Sequence, residues 1–83
     1  MKVLYFAWVR ERIGLAEEEI SPPPEVRTVA ELVEWLAARG DGYATAFANR
    51  RSVRAALDRI HAPPQTALGA AREIAFFPPM TGG

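Results

Sequence analysis

The sequence predicts a small α+β domain, a sheet with one main helix packed across it. Two strand-like runs, Lys2–Trp8 and Glu73–Phe77, lie near the ends of the chain, and one clearly amphipathic segment, Thr28–Arg39, lies between them. An early and a late strand around a single long helix suit a two-layer architecture. With 83 residues the chain has room for one core and little space for a deep pocket holding several catalytic groups.

Lys2–Trp8 opens the chain as a compact apolar run. In a strand, Val3, Tyr5 and Ala7 would share one face and Leu4, Phe6 and Trp8 the other. Both faces are apolar, so the strand is either interior or keeps one face for a partner. Val9–Leu15 mixes charges and reads as a short helical turn closed by Gly14. Glu17–Ser21 offers a short strand anchored by Ile20, and its three glutamates suit an edge, where charge discourages unwanted pairing. Pro22, Pro23 and Pro24 stop it, because none has a backbone donor.

Thr28–Arg39 carries the strongest local signals. Thr28 followed by Glu31 fits a capping box. Val29, Leu32, Val33 and Leu36 form one apolar stripe at helical spacing, with Trp35 at its boundary. Arg39 falls in the expected last turn and Gly40 can supply the C-cap. Tyr43–Ile60 is ambiguous. Val53, Ala56, Leu57 and Ile60 have helical spacing, so Ser52–Ile60 taken alone reads as a helix, while the alternation of Val53, Ala55 and Leu57 is the weaker strand signal. Pro63 and Pro64 break the chain again, and Leu68-Gly69 reads as a buried anchor before a turn. In Glu73–Phe77, Ile74 and Phe76 share one face and Ala75 and Phe77 the other, and Pro78-Pro79 ends the strand. This divides the chain into a domain over residues 1–79 and an extended, flexible tail over residues 80–83.

Composition narrows the function. Half of the residues are hydrophobic and a quarter charged, as in a soluble globular domain. Ten Lys and Arg balance ten Asp and Glu, so the basic excess of a nucleic-acid binder is missing. The longest apolar run, Val3–Val9, falls far short of the roughly 20 residues of a membrane span. No secretory signal layout is present, and there is no cysteine for disulfides, thiolate metal sites or thiol nucleophiles. The expected setting is the cytoplasm, with neither nucleic acid nor membrane as a partner.

Catalytic signatures are missing as well. There is no glycine-rich phosphate loop, and His61, the only histidine, stands in a loop-like stretch without an orienting partner in view. Arg50, Arg51, Arg54 and Arg59 form a basic cluster that suits an acidic partner or a phosphate, or simply a solvated face. Glu17, Glu18 and Glu19 have no second acidic cluster with which to hold a cation. No metal and no bound cofactor are expected.

The tail carries the chemistry. Pro78-Pro79 holds the outgoing chain extended, and Gly82-Gly83 brings no side chains at all. Gly-Gly is costly to order, which points to a need for close backbone approach. A bare carboxylate on a thin stalk can enter a narrow channel in another protein.

The ending Ile74-Ala75-Phe76-Phe77-Pro78-Pro79-Met80-Thr81-Gly82-Gly83 resembles that of the small, sulfur-carrying subunits of molybdopterin synthases. The opening Lys2–Ala7 with Val9-Arg10-Glu11, and the segment Thr28–Leu32, resemble the same family. The likeness spans the whole chain. It implies a ubiquitin-like β-grasp fold, in which a mixed sheet grips one helix and the first and last strands lie side by side and parallel. It also implies a strand near Val53–Arg59, against the helical periodicity. Two departures stand out: Ala71-Arg72 replaces a common Gly-Asp before the last strand, and Asp58 replaces a common Asn.

The resemblance further implies a mechanism centred on Gly83. An adenylating, E1-like activating enzyme uses ATP to turn the Gly83 carboxylate into an acyl-adenylate, and a sulfur donor protein converts this to a thiocarboxylate. The tail then enters the large subunit, where its sulfur passes to cyclic pyranopterin monophosphate to build the molybdopterin dithiolene. The chain thus acts as a subunit of a sulfurtransferase heterotetramer and has no active site of its own. Met80, Thr81 and Gly82 would be the inserted stalk. Phe77 and Phe6 are candidates for partner docking, with core packing as the competing role. Other readings stay open: a carrier for thiamine or tRNA thiolation, a ubiquitin-like modifier, or a non-catalytic interaction domain with an inert tail.

Overall fold

The computed structural model describes residues 1–79. Five strands form one sheet: β1 (Lys2–Tyr5), β2 (Glu17–Glu19), β3 (Arg54–Leu57), β4 (Ile60–His61) and β5 (Glu73–Phe77). Their order is β2-β1-β5-β3-β4, with β1 and β5 parallel at the centre and the other pairs antiparallel. Helices α1 (Ala7–Ile13), α2 (Val29–Ala37) and α3 (Asp41–Ala46) and a 3-10 turn at Arg50–Ser52 complete the described residues. This is the mixed sheet and parallel central pair of the β-grasp arrangement.

α2 forms as its sequence directs. Thr28 accepts from the Glu31 N–H, and the Glu31 carboxylate accepts from the Thr28 N–H at 3.1 Å. The Arg27 and Thr28 backbone donors hold the Glu31 carboxyl below its ordinary value. Val29, Leu32, Val33 and Leu36 are all buried in the core. Each contributes up to about 1.5–3 kcal/mol by leaving water. The cap is Ala38 rather than Gly40, which instead precedes α3, so Arg39 lies beyond the helix.

Three expectations are corrected. The first strand ends at Tyr5, not Trp8, because Ala7 turns into the left-handed region at φ 53° and starts α1. The cap at Gly14 is as expected, in the left-handed conformation with its N–H on the Arg10 carbonyl. The helical periodicity of Ser52–Ile60 is overridden, and the strand that the resemblance implies near Val53–Arg59 is present as β3. Arg54–Leu57 pairs with β5 on one side and β4 on the other, and Asp58-Arg59 forms the two-residue loop between β3 and β4. His61 belongs to β4 rather than to a loop, although it is exposed.

The core lies between the sheet and the helices. Tyr5, Phe47 and Phe76 meet there, with Phe47 edge-on to Phe76 at 5.1 Å and Tyr5 stacked on it at 6.2 Å. Glu18 turns inward from the edge strand and accepts from Tyr5 and Tyr43.

Candidate functional site

The parallel pairing of β1 and β5 puts the start of the domain beside its exit. Val3 aligns with Ile74 and Tyr5 with Phe76, and the Phe6 N–H donates to the Phe76 carbonyl at 3.0 Å. Alternation along β5 separates its two phenylalanines. Phe76 is fully buried against the core, whereas Phe77 lies half-buried on the opposite face. Phe6 is also extended, at φ −124° and ψ 154°, so it continues the outward series Lys2, Leu4, Phe6. It is 47% exposed.

Phe6 and Phe77 therefore stand at the same end of the sheet, on the face away from α2. Core packing accounts for neither fully. Leu4, Ala56 and Ala75 share that face and are only half-buried. Sequence reasoning missed these three as a group, because the alignment of β3 with β5 is not a local property. At the other end of β1, Lys2 pairs with Glu17 at 3.2 Å and the Met1 amine with Glu19 at 2.7 Å. These pairs lie at the opposite end of β1 from Phe6, whereas exposed Arg54 on β3 sits directly opposite Phe77. Such exposed pairs are worth only about 0–1 kcal/mol each.

Pro78 and Pro79 follow Phe77, and neither can donate to a strand ladder. Gly83, the candidate reactive terminus, and Met80, Thr81 and Gly82, the candidate stalk, lie outside the described residues.

The other candidates separate. Glu17, Glu18 and Glu19 form an edge strand, as the sequence suggests, with Glu18 turned inward. Among the described residues no three His, Asp or Glu side chains converge to hold a metal ion. Arg50, Arg51 and Arg54 line one cavity together, while Arg59 lies apart in the β3–β4 loop. No helix among the described residues is long and apolar enough to cross a membrane.

With this geometry established, similarity to known proteins assigns the family. The profile of the ThiS family matches residues 3–83. The chain belongs to the ThiS family. Two curated relatives, the molybdopterin synthase sulfur carrier subunits of Haemophilus influenzae and Escherichia coli, are each 36% identical over 83 residues, covering 100% of this chain and 99% of theirs. A solved structure from Pyrococcus furiosus, described as a candidate molybdopterin converting factor subunit 1, aligns at a TM-score of 0.74 with 28% identity over 94% of each chain. The crystal structure of SAMP1 from Haloferax volcanii aligns at 0.71 with 23% identity, covering 100% of this chain and 98% of that one. This last likeness concerns the fold alone. Membership of the ThiS family agrees with the β-grasp topology and with the parallel β1–β5 pair that leads into the tail.

Proposed function

We propose that this protein is the sulfur carrier subunit of a molybdopterin synthase and that Gly83 carries the sulfur. The observation that carries the reading is the end-to-end similarity, at 36% identity, to two relatives bearing that name. The tail sequence and the exposed Phe6–Phe77 end of the sheet support it.

In this reading the Gly83 carboxylate attacks the α-phosphate of ATP within an adenylating enzyme, forming an acyl-adenylate and releasing pyrophosphate. Sulfur from a donor protein then displaces AMP. The resulting thiocarboxylate is anionic at neutral pH and nucleophilic, as thiolates are. Met80, Thr81 and Gly82 pass it into the large subunit, which binds the pterin precursor and accepts the sulfur. Phe6 and Phe77 anchor the domain on its partners, as aromatic side chains commonly do at interfaces. Two carriers and two large subunits form the working heterotetramer in the cytoplasm. The ATP belongs to the activating enzyme, and the carrier holds no cofactor.

The test is mass spectrometry after incubation with the activating enzyme, ATP and a sulfide source. The expected product is heavier by the difference between sulfur and oxygen, and it reverts when large subunit and pterin precursor are added. Deleting Gly83 should abolish loading while preserving the circular dichroism spectrum. No mass change would refute the carrier role. A thiocarboxylate left untouched by the pterin system would move the protein to another sulfur pathway.

A further inference from the structure

The arginine cluster has no part in sulfur loading as proposed, yet it borders a cavity of about 520 Å³ between α2 and the β3–β4 hairpin. Val29, Val33, Ala55 and Ala62 supply apolar walls, and Arg50, Arg51 and Arg54 line it as well. Glu34 is the sole acidic residue of the lining. Three arginines and a single carboxylate residue thus border the groove.

The hydrogen bonds of these arginines leave that imbalance in place. Arg50 Nη1 donates to the Phe47 carbonyl and Arg54 Nη1 to the Arg51 carbonyl at 2.9 Å, both neutral acceptors. Among the described residues none of the three forms an ion pair. Guanidinium groups with donors to spare suit carboxylates.

The adjoining sheet edge narrows the class of ligand. β4 is the last strand of the sheet, and His61 lines the cavity. His61 sits opposite Ala56, and the next residue, Ala62, donates its N–H to the Ala55 carbonyl at 2.9 Å. In an antiparallel ladder, bonded and non-bonded pairs alternate, so the His61 N–H and C=O point outward. An extended chain can add there as a further strand. A simple anion would leave the apolar walls wet, and a purely apolar ligand would leave the cations unused.

We propose that this groove docks a peptide segment of a partner protein, one with an apolar core flanked by Asp or Glu. The segment lies extended beside His61, seats its apolar side chains against Val33, Ala55 and Ala62, and places its carboxylates on Arg50 and Arg51. Arg54 sits opposite Phe77 and His61 opposite Ala56, so the groove borders the open sheet face that carries Phe6 and Phe77.

The probe is a fluorescein-labelled peptide with a Val-Ile-Val-Leu core between pairs of aspartates, titrated into the full chain and followed by anisotropy and by amide chemical shifts. Saturable binding is expected, with shifts at Val33, Ala55 and Ala62, and weaker binding at high salt. The double variant Arg50→Glu, Arg51→Glu should weaken it about tenfold or more, the equivalent of one charge-assisted contact. Ala30→Trp, at an exposed position lining the groove, should block it without changing the circular dichroism spectrum. Three results would overturn the proposal: no binding, equal binding of a peptide with lysines in place of the aspartates, or shifts confined to Phe6 and Phe77. Free aspartate or phosphate matching the peptide's affinity would also overturn it, by leaving the apolar walls without a role. None of these outcomes bears on sulfur loading at Gly83.

Discussion

The Tyr43 hydroxyl on α3 donates to Glu18 Oε2 on edge strand β2 at 2.7 Å. Tyr5, from the neighbouring strand, donates to the same oxygen at 2.8 Å, and Arg39 Nη1 lies 3.5 Å from Glu18 Oε1. Burial first, and the hydrogen bond to the Glu18 carboxylate second, push both hydroxyls above the usual phenol range. A phenol with a raised folded pKa holds its proton more tightly in the folded state. Its contribution is complete below the unfolded value of about 10 and is lost as pH rises through the folded one. Stability should therefore decline above about pH 10. The chain has two tyrosines and both belong to this network, so phenolate absorbance should stay low at that pH until the chain unfolds. An ordinary phenol titration in a still-folded protein would contradict it. Glu18→Ala leaves two partly buried hydroxyls without their acceptor and should cost about 1–3 kcal/mol in urea unfolding.

At Gly42 the backbone of α3 comes close to that of α1. A Cβ there would lie 2.6 Å from the Arg12 carbonyl oxygen, a backbone atom that cannot swing aside. Gly42→Ala should destabilise the fold by about 1–3 kcal/mol by forcing the helices apart. Gly40→Ala is the control. Its Cβ would meet only Tyr43 Cδ2 at 3.9 Å, an ordinary contact, so its midpoint in thermal unfolding should stay close to that of the parent.

Asp58 does two jobs at the β3–β4 loop. It adopts φ 47°, with Arg59 following at 72°, the twist that two-residue hairpin loops favour. Its Oδ1 also accepts from the Arg72 and Glu73 N–H groups at 3.1 and 3.0 Å, tying the loop to the start of β5. Asn tolerates the same backbone and offers the same acceptor. Asp58→Asn should be nearly neutral, whereas Asp58→Ala should cost about 1–2 kcal/mol. Equal unfolding midpoints for the two variants would show that the side-chain bonds contribute nothing.

These positions show where local rules suffice. The Thr28–Glu31 box, the Gly14 cap, the acidic edge strand and the alternation of Ile74 and Phe76 are each set by neighbours within a few residues, and all are readable in the sequence. β3 is not. Ala55, Ala56 and Leu57 favour a helix by composition, and the strand is imposed by β5 and β4 on either side. The loop that would have revealed the hairpin holds Asp58-Arg59 rather than an Asn-Gly signal. The end of β1 was hidden for a similar reason: no Gly or Pro marks the turn at Ala7. α3 was missed because Gly42 weakens its helical signal. Phe6 and Phe77 could be named singly as docking candidates, but their shared location depends on the parallel register of strands at opposite ends of the chain.

That shared location gives the docking role a quantitative test. Phe6 and Phe77 lie outside the core, so replacing either with Ser should change the unfolding midpoint little. In complex with the large subunit each should act as an anchor, and its loss should weaken binding by about 1–3 kcal/mol in calorimetric titration. If one partner surface covers both rings, the effects will not add. Side chains that share a contact commonly couple by about 0.5–3 kcal/mol, while distant ones add. The double variant Phe6→Ser, Phe77→Ser should then lose less than the sum of the single losses. Simple additivity would mean two separate contacts. Unchanged affinity in both single variants would remove the phenylalanines from the interface and leave the tail, with Gly83 at its end, as the remaining determinant of docking.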